Sequence, residues 1–159
     1  MMENQKTIQK VLGPESKRLN VFVGKWHTTG EVAATKPALK IDAFDTYEWL
    51  PGGYALIHYA DGTIGGERVH SIEIIGYDLS REMYFAPFFD GQEGAGWEEI
   101  RVKDNTWTWQ GKDVMGTKYH RCIAVFGNDG NTINARHEKS EDGENWELWM
   151  NVTLAKVSV

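Results

Sequence analysis

The sequence predicts an all-β protein, an antiparallel up-and-down β-barrel of about ten strands behind a short N-terminal helical segment. Three observations carry that expectation. From Trp26 onward the chain breaks into short alternating or apolar segments, each bounded by turns rich in Gly, Asp or Asn. No segment beyond that point shows the sustained 3.6-residue periodicity of a long helix. Strands joined by tight turns close most economically into a barrel, because an open sheet of this width would leave two unpaired edges. A β-sandwich is the alternative, and an internal cavity open to solvent would tell the two apart.

Residues 1–18 are expected to form an arm or short helix packed on the body, and residues 19–159 the barrel domain. Ile8, Val11 and Leu12 have helix-like spacing before Gly13-Pro14 breaks it, and Leu19 and Phe22 then sit one helical turn apart, as if to pack on a barrel mouth. In Gly24-Lys25-Trp26 the glycine lets the chain turn sharply into the first strand. The indole offers a large ring to plug one end, with an N–H that needs a partner.

The first strand is expected at Trp26–Val32 and the second at Leu39–Leu50. On the second, Ile41, Ala43, Tyr47 and Trp49 share a face that Asp45 interrupts. Pro51-Gly52-Gly53 turns the chain into Tyr54–Asp61, and a fourth strand, Val69–Tyr77, puts His70, Ile72, Ile74 and Gly76 opposite Ser71 and Glu73. Met83–Phe89 is almost wholly apolar, and Asp90–Gly96 reads as a glycine-rich mobile rim. Trp97–Lys103, Thr106–Gln110 and Lys118–Phe126 follow. The Asn128-Asp129-Gly130-Asn131 turn leads into Thr132–Lys139, where Ile133, Ala135 and His137 share a face. The last strand sets Trp146, Leu148, Met150, Val152 and Leu154 on one face, which must be core.

Composition narrows the function classes. With 159 residues and no linker-like stretch, a single domain with a proper core is expected. One cysteine, Cys122, excludes an intramolecular disulfide and fits a reducing compartment. The start of the chain lacks the apolar run of a signal peptide, and no stretch is long enough to span a bilayer as a helix, so a cytoplasmic protein with no membrane partner is expected. A net charge of −6, with Lys and Arg scattered, argues against nucleic acid as a partner. Zinc-protease, nucleophile-elbow, Walker and dinucleotide signatures are missing, and Gly91–Gly96 precedes a strand rather than a helix.

Several blocks together carry a family resemblance: Leu19 with Gly24-Lys25-Trp26, then Glu48-Trp49-Leu50-Pro51-Gly52-Gly53-Tyr54, then Gly76-Tyr77-Asp78, then Asp90-Gly91 after an aromatic strand. In these blocks and their spacing the chain resembles the bacterial family called domain of unknown function 1579, whose members are similar to lipocalins and fatty-acid-binding proteins. The resemblance implies a calycin-like (lipocalin-like) barrel and supplies no activity or site. A secreted, disulfide-bonded lipocalin is a poorer match, since this chain shows neither feature. Nitrobindin-like haem barrels share only the Gly-x-Trp opening, and no cofactor is expected.

The interior wall of such a cup is expected to include Tyr47, Trp49, His58, His70, Tyr84, Arg121, His137 and Met150 as ligand-binding residues. Converging imidazoles suit a divalent metal or general acid–base work, but each is more simply a hydrogen-bonded core histidine, and no metal site is assigned. An inward Arg121 would pair with a carboxylate ligand; the plainer reading pairs it with a barrel Glu or stacks it on Trp26. The leading function is therefore binding of a small apolar or aromatic molecule, with a carboxylate group among the options. An isomerase, lyase or hydrolase using an inward His and Arg is the first alternative. A dimerising module with Trp107 and Trp109 on its outer face is the second.

Overall fold

A computed structural model of the chain describes residues 13–91, 94–113 and 117–158. Residues 1–12, expected in the N-terminal arm, lie outside that description. Pro14 occupies the first position of a short helix, α1 (Pro14–Arg18), where its missing N–H costs nothing and its fixed φ suits the turn. The helix runs directly into a 3-10 turn, Leu19–Phe22, whose Leu19 and Phe22 are buried.

Ten strands follow: β1 (Gly24–Val32), β2 (Leu39–Trp49), β3 (Ala55–Ile64), β4 (Glu67–Asp78), β5 (Met83–Asp90), β6 (Gly94–Lys103), β7 (Thr106–Asp113), β8 (Tyr119–Phe126), β9 (Thr132–Ser140) and β10 (Glu147–Ser158). Each pairs antiparallel with its neighbours in sequence, and β1 closes on β10, so the sheet is a closed barrel without an edge. The expected rim loop at Asp90–Gly96 is shorter than the sequence suggested, because Gly94, Ala95 and Gly96 already pair with β5.

One end of this barrel is plugged. Gly24 enters β1 with φ +128°, a conformation that favours glycine. Trp26 is fully buried, and its indole N–H donates to the Phe22 carbonyl at 2.8 Å, fastening the 3-10 turn across the opening. Phe22 packs against Tyr47, Trp107, Trp109 and Phe126, with ring centroids 4.8–5.8 Å apart. The Tyr84 hydroxyl donates to the Glu15 carbonyl at 2.7 Å, and the Trp49 indole N–H donates to Asn20 Oδ1 at 3.1 Å. These bonds tie the helical segment to β5 and β2.

Three sequence-based face assignments are corrected by the register. On β4 the inward residues are Ser71, Glu73 and Ile75, which pair with the inward Ala60, His58 and Leu56 of β3. Ile72 and Ile74 instead form an outer ladder with Tyr59 and Ile57, a cross-strand packing that alternation within one strand cannot reveal. On β10 a bulge between Leu148 and Met150 breaks the alternation, so Trp149 as well as Met150 lines the interior while Trp146 covers the guanidinium of Arg121 at 4.2 Å. Trp107 and Trp109 are buried in the core. They supply no outer face for a second copy, which removes the basis of the dimerising alternative.

Candidate functional site

Above the plug the barrel holds a cavity of about 500 Å³. It runs from Phe22 and Trp109 at the closed end to Asp90, Asp113 and Lys118 at the far ends of the strands. Its wall is mainly apolar, from residues such as Ile41, Ala43, Ile133, Ala135, Val152 and Leu154.

Across this apolar wall runs a belt of titratable groups. On one side His58 sits between two carboxylates, its Nε2 2.6 Å from Asp45 Oδ1 and its Nδ1 3.2 Å from Glu73 Oε1. Asp45 also accepts the Thr28 hydroxyl, and the Tyr47 ring stacks on the imidazole at 4.1 Å and 7°. Burial opposes a charge on His58, but the hydrogen bonds to Asp45 and then Glu73 outweigh it and hold its pKa up at about 9. His58 is therefore an imidazolium at neutral pH, with both N–H groups donating.

On β6, β8 and β9 a second chain runs from Glu98 to Cys122. Glu98 Oε1 lies 2.7 Å from His120 Nδ1, His120 Nε2 lies 3.1 Å from His137 Nδ1, and His137 Nε2 lies 3.6 Å from Cys122 Sγ. Glu98 and His120 stand two strands apart and meet because the position between them is Gly111. A Cβ there would run into the Trp97 carbonyl and the Glu98 Cα. On its other flank Glu98 pairs with Ala86, so the smallest inward residues lie on both sides of it.

Protonation along this chain follows from burial. Burial, then the Glu98, Glu73 and Asp45 charges, push the Cys122 thiol well above its usual range, so it keeps its proton. Burial, then the neighbouring His120, drop His137 to about 3 and keep it neutral. Thiol, both imidazoles and carboxyl group thus form one continuous hydrogen-bonded chain, in which the histidine tautomers set each donor and acceptor. Burial raises the pKa of Glu98, against its hydrogen bond from His120. All ring nitrogens of His58, His120 and His137 thus have partners. Among the described residues no group of three or more His, Cys, Asp or Glu side chains is placed to hold a metal ion.

Of the residues singled out in the sequence, Tyr47, His58, His137 and Met150 line the cavity. His70 reaches only its edge: it is exposed, and its face on β4 is the outer one. Trp49 and Tyr84 belong to the plug. Arg121 points outward, where its Nε and Nη2 donate to Glu138 Oε1 at 2.9 and 2.8 Å and Trp146 covers it, which is the plainer of the two readings its sequence allowed. Asp45, Glu73, Glu98, His120 and Cys122 were not singled out. Asp45 had a signal, as a carboxylate interrupting an apolar face. So did His120, which shares alternation with Cys122, Ala124 and Phe126 while Arg121 does not.

Fold and site together define a closed, ten-stranded lipocalin-like barrel with an internal cavity plugged at one end. The chain belongs to the family described as Protein of unknown function (DUF1579), whose model matches residues 12–156. A search of curated proteins found no match. Among solved structures the chain is similar to a de novo designed fluorescence-activating β-barrel, at 11% identity and a TM-score of 0.45, covering 86% of this chain and 94% of that one. No helix among the described residues is long and apolar enough to cross a membrane.

Proposed function

We propose that the barrel binds a small apolar or aromatic molecule in its interior. The observation that carries this reading is the cavity itself. At about 500 Å³ it lies in the range of small-molecule sites, with a mainly apolar wall and a few convergent polar groups. A barrel evolved only to be stable would fill that space, since each void forfeits contacts and unfilled volume costs stability. The carboxylate option weakens, because Arg121 points away from the cavity and the wall cation His58 is already paired with Asp45 and Glu73.

The neutral dye N-phenyl-1-naphthylamine, which brightens in apolar surroundings, tests the reading. Saturable binding of one dye per chain is expected. Ala60→Trp introduces a ring from a half-buried wall position that faces the void, and should weaken binding by roughly ten-fold or more. Arg121→Ala, on the outer surface, should leave binding unchanged. Absence of saturable binding, or equal binding by the Ala60→Trp protein, would overturn the proposal.

A further inference from the structure

Two polar side chains of the cavity are more than nine-tenths buried and still have unused hydrogen-bonding capacity. Tyr47 is 6% exposed, and its hydroxyl makes no hydrogen bond among the described residues. Glu98 is 4% exposed, and only its Oε1 has a partner among them. Among the described residues no fully enclosed side-chain oxygen or nitrogen lacks a partner, so both of these groups must touch open space, and both residues line the cavity. A buried donor or acceptor left unpaired is costly, and a ligand that completes it recovers that cost as selectivity.

The two groups are complementary. Burial, then the Asp45 and Glu73 charges, raise the Tyr47 phenol well above its usual range, so it stays protonated and can donate. Glu98, with His120 donating to its other oxygen, offers an acceptor. Both lie within electrostatic reach of Cys122. An ammonium group would satisfy Glu98 but give Tyr47 nothing to donate to, and a carboxylate would set a second negative charge beside Glu98 while His58 is already paired with Asp45 and Glu73. A hydroxyl serves both sides. The aromatic surfaces of Tyr47, Trp109 and Trp149 suit a flat body beneath it.

Resting on the binding reading above, we propose that Tyr47 and Glu98 form a polar subsite that selects an uncharged aromatic ligand bearing a hydroxyl group. The Tyr47 O–H donates to the ligand oxygen, and the ligand O–H donates to Glu98.

The test uses naphthalene, 2-naphthol and 2-naphthoate as competitors against N-phenyl-1-naphthylamine at neutral pH. 2-Naphthol is expected to bind roughly ten-fold or more tightly than naphthalene, and 2-naphthoate more weakly than 2-naphthol. Tyr47→Phe and Glu98→Gln should each lower the ratio of 2-naphthol to naphthalene affinity several-fold, with thermal unfolding verifying that each variant folds. Naphthalene binding without a 2-naphthol advantage, or an advantage that survives both substitutions, would overturn the subsite and leave the binding barrel standing. Failure of naphthalene, 2-naphthol and the dye alike to bind would overturn both.

Discussion

Replacing Trp26 with alanine is expected to lower the unfolding free energy by about 3–5 kcal/mol, a large part of the roughly 5–15 kcal/mol typical of a domain. The indole is fully buried, meets Phe126 edge to face at 6.2 Å, and carries the hydrogen bond that holds the Phe22 carbonyl across the barrel end. Removing it opens a cavity the size of two fused rings and leaves a buried carbonyl without its donor. Trp26→Phe separates the two effects: most of the packing survives, and the loss should be nearer the roughly 1–3 kcal/mol of an unsatisfied buried acceptor. Urea unfolding measures both. A loss below about 1 kcal/mol for the alanine variant would mean that the helical segment, rather than Trp26, closes the barrel.

The second large effect is on pH dependence, where two buried histidines act in opposite directions. His58 has its pKa raised from 6.5 to about 9, so its stabilisation is complete below pH 6.5 and is lost as pH rises towards 9. His137 has its pKa lowered from 6.5 to about 3, so its neutral form favours the fold above pH 6.5, and that stability is lost as pH falls towards 3. Stability should therefore peak near pH 6.5, with an alkaline limb on the order of 3 kcal/mol and an acid limb on the order of 5 kcal/mol, at about 1.4 kcal/mol per unit of pKa shift. His58→Leu removes the alkaline limb and leaves Asp45 and Glu73 buried without their cation, a loss of about 3–5 kcal/mol at neutral pH. His137→Asn should flatten the acid limb between pH 6.5 and 4 without touching the alkaline one. Thermal melts across pH 4–9 give the profile; a wild-type stability that rises steadily through pH 9 would contradict the charged state of His58.

How far the sequence discloses this molecule depends on which contacts decide each feature. Strand order is local, set by tight turns, and closure of β1 on β10 follows from the cost of leaving two edges unpaired, so both are legible in the chain. The polar belt is not, because it depends on register between strands. Glu98 meets His120 only because Gly111 stands between them, and Glu73 faces inward only because it pairs with His58 while Ile72 and Ile74 build an outer ladder. Within single strands, alternation is enough to place Tyr47 and His137 on the inner wall, and at β8 it favours His120 over the expected Arg121. The turn of Trp149 into the cavity follows from a bulge that no periodicity announces.

Methyl-resolved NMR during titration with 2-naphthol tests most directly whether the cavity is a binding site. The account predicts saturable shifts for the methyl groups of Ile41, Ile133, Met150, Val152 and Leu154, which line the cavity, with the exposed Val125 and Val157 unmoved. Shifts confined to Val125, Val157 or other outward-facing methyl groups, or no shifts at saturating ligand, would contradict it.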